Sequence, residues 1–167
     1  MAKKKDEKTN VMRILDQKEI PYTAHFYEGT DPNNTSTYGV SVAETLGQDP
    51  DCTLKTLVAR SASGAVYVFE VPVAENLDLK KAARSVGEKN VELLPVKEIT
   101  AVTGYIRGGC SPIGMKKEYP TVIHETIQLY DTVHISGGKI GVDVEIGTEA
   151  LRELVQGKYA DIIKEVS

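Results

Sequence analysis

The chain reads as a single α+β domain, a curved, mixed or mainly antiparallel and barrel-like β-sheet with short flanking helices. Three observations predict this. Strand-like segments outnumber helical ones, the helical segments are short, and hairpin turns recur. A length of 167 residues suits one ordinary domain able to bury a core without disulfides or metal. The 41% hydrophobic and 26% charged composition is that of a soluble globular protein.

Residues 1–8 form a basic head, and residues 9–167 the folded domain. A first helix starts near Thr9 or Asn10, where Val11, Ile14, Leu15 and Lys18 keep helical spacing. Pro21 stops it, and YTAHFY (22–27) follows as an alternating strand. EGTDPNNTSTY (28–38) is a turn-rich loop. Ser41 and Glu44 have capping-box spacing for a short helix that Gly47 terminates. TLKTLVAR (53–60) and AVYVFEVP (65–72) flank SASG as a hairpin. Asp78 caps a helix through LKKAARSV, closed by Gly87. VELL (91–94) is a short strand, and VKEITAVT (96–103) a helix ended by Gly104. TVIHE (121–125) and TVHIS (132–136) read as strands. In IGVDVEI (140–146), Ile140, Val142, Val144 and Ile146 share one face, with Asp143 and Glu145 on the other. A last helix starts from Thr148 as its cap and runs through Leu151, Leu154 and Val155.

Several function classes are disfavoured. No apolar run approaches the roughly 18–20 residues of a membrane helix. The opening MAKKKDEKTN has no apolar segment behind it, so no signal peptide is expected. Cys52 and Cys110 lie far apart and form no CxxC pair, which argues for a reducing cytoplasm and against a zinc site or disulfide framework. A net charge of −4 does not announce nucleic-acid binding, although a local basic patch is what sets such affinity.

The densest cluster of constrained residues is GYIRGGCSPIGMKK (104–117). As a phosphate cradle it fails, because Met115 stands where a P-loop needs lysine and Pro112 removes a donor. As a nucleophile elbow around Ser111 it lacks the final glycine, and His124 and His134 read better as packed or surface strand residues than as triad partners of Asp143. Cys110 is either a nucleophile activated by Arg107, Lys116 or Lys117, or a small buried hydrophobe. The Gly108–Gly109 backbone can approach a ligand closely and aim N–H groups at a carbonyl or oxyanion. Lys55 interrupts an otherwise apolar or small strand; it faces either solvent or an anionic or carbonyl ligand.

Taken in order, GGxSPxG (108–114), LKTL (54–57), DPNN (31–34), LKKAA (79–83) and SGGKxG followed by Asp143 in VDVE resemble the YbaK-type cysteinyl-tRNA(Pro) deacylases of the prolyl-tRNA synthetase editing-domain superfamily. The resemblance spans roughly residues 10–165. It implies a cytoplasmic trans-editing enzyme that removes cysteine from mischarged tRNA(Pro), with no cofactor, no metal and no protein nucleophile. The substrate's own thiol would attack its ester carbonyl. It implies catalytic roles for Lys55, Gly108 and Gly109, and substrate-binding roles for Tyr27, Tyr38, Thr56, Tyr105, Ser111 and Asp143. Tyr38 stands where the family usually has phenylalanine, and Cys110 where an aliphatic residue is common. The implied partners are mischarged tRNA(Pro) and prolyl-tRNA synthetase in a ternary complex, with no membrane and no DNA. The rivals are a deacylase for another small amino acid, such as alanine, and a non-catalytic tRNA- or synthetase-binding module of the same fold.

Overall fold

The computed structural model describes residues 8–28 and 38–165. Helix α1 (Asn10–Gln17) begins where expected because the Thr9 hydroxyl accepts the Met12 N–H at 3.2 Å. It buries Val11, Met12 and Leu15. Strand β1 (Tyr22–Phe26) follows. Most of the predicted 28–38 loop, with its DPNN segment, lies outside the described residues, as does most of the basic head.

Helix α2 (Tyr38–Leu46) corrects the capping-box expectation. It starts three residues before Ser41, which therefore sits inside the helix rather than at its cap. Gly47 ends it at φ +67°, the left-handed conformation a glycine adopts without penalty. A 3₁₀ turn over Pro50–Cys52 then leads to β2 (Leu54–Ser61), which pairs antiparallel with β3 (Val66–Pro72) as the predicted hairpin. Helix α3 (Leu79–Ser85) is capped by Asp78, whose carboxylate accepts the Lys80 and Lys81 N–H groups at 3.0 Å. Strand β4 (Val91–Leu93) and helix α4 (Val96–Thr103) follow, α4 closing on Gly104 at φ +88°. Strands β5 (Thr121–His124), β6 (Thr132–Ser136) and β7 (Val142–Gly147) precede α5 (Thr148–Leu154) and a short β8 (Lys158–Ala160). Thr148 does not cap α5, whose N-cap residue is Gly147. Its hydroxyl donates instead to the Tyr130 carbonyl at 2.5 Å, tying the helix start to the entry of β6.

The strands form two sheets rather than one curved or barrel-like sheet. The smaller, in the order β1-β7-β6, is antiparallel throughout. The larger, in the order β4-β2-β3-β5-β8, is antiparallel across β4-β2-β3 and parallel across β3-β5-β8. The switch has a simple cause: a four-residue loop joins β2 to β3, whereas β3 reaches β5 only through a crossover carrying α3, β4 and α4. A bridge between Thr53 and His134 couples the sheets.

One core cluster packs Val133, Ile135, Val144 and Ile146 of the smaller sheet against Val11 and Leu15 of α1 and Leu151 of α5. A second packs Ala59, Phe69, Val71 and Val122 of the larger sheet against Ala82 and Ala83 of α3. A pocket lined by residues of both sheets opens where they meet.

Candidate active site

That pocket has a volume of about 310 Å³, near the low end for small-molecule sites. The start of β2 supplies Lys55 and Thr56, the loop after α4 supplies Arg107, Gly108 and Cys110, and β7 supplies Asp143. Tyr27 lines it from just beyond β1. The rest of the lining is largely apolar, and two of its members, Leu93 and Val96, are exposed. A larger groove of about 900 Å³ runs past Ile14, Pro112, Met115 and Leu154. It holds none of the nine residues expected to bind or act on a substrate, and the chemistry points to the smaller pocket.

Five of the nine expected site residues therefore converge: Tyr27, Lys55, Thr56, Gly108 and Asp143. Gly109 stands behind the wall. A Cβ placed there would lie 3.1 Å from Lys139 Cα and 3.2 Å from Ile140 N, so its backbone presses on the SGGK loop. Gly108, at φ +87°, holds the conformation that L side chains rarely adopt. Tyr105 is buried and donates its hydroxyl to the Ile113 carbonyl at 2.5 Å, stapling the loop. Ser111 is fully buried, and its hydroxyl accepts the Ile113 N–H at 3.3 Å. Tyr105 and Ser111 shape the loop from within. Tyr38 opens α2, and its side chain lies outside the described residues.

Neither histidine engages Ser111. His124 accepts the Ile162 N–H at 3.3 Å, and His134 Nδ1 lies 3.0 Å from Asp143 Oδ2. Asp143 also accepts from Gln48 Nε2 at 2.9 Å, so the carboxylate is clamped from two sides. Gln48 follows no motif, and only the return of the chain from α2 to β7 brings it there.

Lys55 is partly buried, and desolvation holds its ammonium below the ordinary lysine range, with Glu75 opposing the shift. Among the described residues it has no ion pair, which leaves its charge available to a ligand. Thr56 pairs across the hairpin with Glu70, and its hydroxyl donates to Glu70 Oε1 at 3.0 Å. Glu70 is completely buried, and its Oε2 has no hydrogen-bond partner. Burial raises this carboxyl well above the ordinary range, against the Thr56 hydrogen bond. The sequence signal was there to see: one carboxylate inside the apolar run VYVFEVP, matching the one lysine inside LKTLV.

Burial pushes the Cys110 thiol up to about 12, with Glu70 adding to the shift. A thiol so far from ionisation is a poor nucleophile. Cys110→Ala should therefore leave deacylation within about twofold of the native rate, read by release of radiolabelled amino acid; a loss of 100-fold or more would restore a nucleophilic role.

The aminoacyl-tRNA editing domain family matches residues 32–154. EbsC of Enterococcus faecalis, provisionally named a Cys-tRNA(Pro)/Cys-tRNA(Cys) deacylase, is 42% identical over 97% of this chain and 98% of its own length. Among solved structures, one provisionally described as a trans-editing enzyme for prolyl tRNA synthetase is 22% identical with a TM-score of 0.76, covering 95% of this chain and all of that one. A hypothetical protein at 21% identity gives a TM-score of 0.82 over 93% of this chain and all of that one. These two likenesses speak for the fold.

Proposed function

The chain belongs to the aminoacyl-tRNA editing domain family, and from that premise we propose that it is a cytoplasmic trans-editing deacylase that removes cysteine from mischarged Cys-tRNA(Pro). Such an activity answers a physical need. Cysteine and proline are close in size, and a pocket separates small apolar groups by only ~1–3 kcal/mol, so a synthetase cannot reject the wrong one by binding alone.

One observation carries the mechanistic reading. Among the described residues lining the pocket there is no histidine, and its one thiol is held at about 12. The lining offers two cations, Lys55 and Arg107, several hydroxyls, a backbone turn and a carboxylate, which suit orientation and charge stabilisation rather than nucleophilic attack. The nucleophile is then the substrate's own thiol. Its sulfur bonds to the ester carbonyl carbon, the acyl–oxygen bond breaks, and the departing ribose oxygen takes up a proton. A cyclic thiolactone and free tRNA result.

In this reading Lys55 contacts the aminoacyl end or the terminal adenosine's phosphate, with Thr56 beside it. Gly108 and Gly109 present backbone to the carbonyl or 2′-hydroxyl. Tyr27, Tyr38, Tyr105, Ser111 and Asp143 shape the surroundings. Prolyl-tRNA synthetase, in a ternary complex, supplies the tRNA specificity that a chain of net charge −4 does not advertise.

The test compares Cys-tRNA(Pro) with Ser-tRNA(Pro), which replaces sulfur by oxygen, and with Ala-tRNA(Pro). Substrate-thiol catalysis predicts that serine is removed at least about 100-fold more slowly, in line with the effective molarity an intramolecular nucleophile confers. Equal rates on cysteine and alanine would rule out thiol participation and leave a hydrolytic deacylase for small amino acids.

A further inference from the structure

The polar face of the smaller sheet, opposite its core-packed face, carries three donors, on His25, His134 and Glu145, that the proposed reaction does not use. Antiparallel register sets His25 of β1 opposite Asp143 of β7, and His134 of β6 opposite Glu145 of β7. All four side chains therefore share one face, while Val133, Val144 and Ile146 point into the core. His25 Nε2 lies 3.1 Å from Glu145 Oε1. One ligand atom from each of His25, His134 and Glu145 falls within 4.8 Å of the others.

We propose that His25, His134 and Glu145 form a binding site for a zinc-class divalent cation, with a fourth position open to water. Three physical points support it. Two ligands held tetrahedrally at about 2.0–2.1 Å from zinc sit about 3.3 Å apart, and the His25–Glu145 pair is already near that spacing. His134 offers its ligand atom within 4.8 Å of both.

Second, the outer contacts match those that orient metal ligands. The Nδ1–H of His134 faces Asp143 Oδ2 at 3.0 Å, which leaves Nε2 as the lone-pair donor, and Gln48 holds that carboxylate in turn. Glu145 Oε2 accepts from the Thr132 hydroxyl at 3.2 Å, leaving Oε1 for the ion. Third, the site is open to ions: the His25 and Glu145 side chains are each 34% exposed, whereas His134 at 11% anchors the floor. To ligate through Nε2, His25 carries its one proton on Nδ1, so the bond replaces the present contact with Glu145.

The site lies outside the reaction proposed above and does not depend on it. Because Asp143 both orients His134 and lines the substrate pocket, a bound ion would hold that carboxylate in place at the pocket wall.

Titration of the tag-free full-length chain with Co²⁺, followed by visible absorption, and with Zn²⁺, followed by calorimetry, tests the proposal without any tRNA. The expected result is saturation at one equivalent with the intense bands of a four-coordinate cobalt site. His25→Ala and Glu145→Gln should each weaken binding by about 100-fold or more, and Asp143→Asn by about 10- to 100-fold, the range for an outer-shell partner. Glu145→Gln is nearly isosteric and His25 is at the surface, so circular dichroism should report intact folds. Absence of saturable binding would overturn the proposal. So would binding that survives the His25→Ala/Glu145→Gln double variant, since the ion would then lie elsewhere, for instance on Cys52 or Cys110.

Discussion

Lys55→Ala is expected to lower deacylation of Cys-tRNA(Pro) by roughly 100- to 1,000-fold, the loss that follows removal of one charge-stabilising group from a site of this kind. The reason lies in the environment of the ammonium. It is partly desolvated at the pocket wall, and among the described residues no carboxylate forms an ion pair with it. A cation kept in that state acts strongly on developing negative charge, because little water screens it. Single-turnover deacylation beside filter-binding of the tRNA separates the two components. Turnover should collapse while tRNA affinity falls much less, since most of that affinity comes from phosphate contacts spread over a larger surface. A variant that deacylates normally would move the catalytic role away from Lys55. If neither the native chain nor the variant turned over, the chain would be a binding module.

The second large effect concerns Glu70 and stability. Burial raises its carboxyl in the fold well above the value near 4.5 at which it ionises when exposed. Between that value and the raised folded value, the unfolded state has lost a proton that the folded state retains. Stability contributed by the neutral group is thus complete below about 4.5 and is lost as pH rises through this window, at about 1.4 kcal/mol per pH unit. Glu70→Gln should remove that slope. Urea unfolding of the native and variant chains at several pH values from 5 to 8 should give stability curves that diverge with pH, the variant gaining on the native chain. Parallel curves would mean that Glu70 is ionised in the fold. The same variant probes the pocket, because Glu70 orients the Thr56 hydroxyl from behind.

Local features of the chain were legible because their causes are local. Thr9 and Asp78 cap their helices through side chains that reach N–H groups two or three residues on. Gly47, Gly87 and Gly104 all take the left-handed conformation that ends a helix or turn. The SASG hairpin needed only its own turn and the alternation on either side. Where a local signal misled, a distant partner had intervened. Thr148 looks like a cap, but its hydroxyl is taken by Tyr130, eighteen residues earlier. Strand β8 was not expected, since three residues, KYA, become a strand only through pairing with β5.

The candidate site divides the same way. Motif resemblance located Lys55, Thr56, Gly108 and Asp143, and the pocket gathers them. The structure adds what stands behind them: Glu70 beneath Thr56, Gln48 and His134 holding Asp143, and the SGGK loop behind Gly109. No spacing rule reaches these contacts. His25 and Glu145 are 120 positions apart and meet because β1 pairs with β7 in one register. A slip of one residue would turn the histidine into the core. By itself the sequence determined that the helices and the hairpin form, the alternating faces of the 140–146 strand, and the family. Tertiary structure decided which polar faces meet, because strand order and register are set by burying both cores at once, a condition no single segment contains.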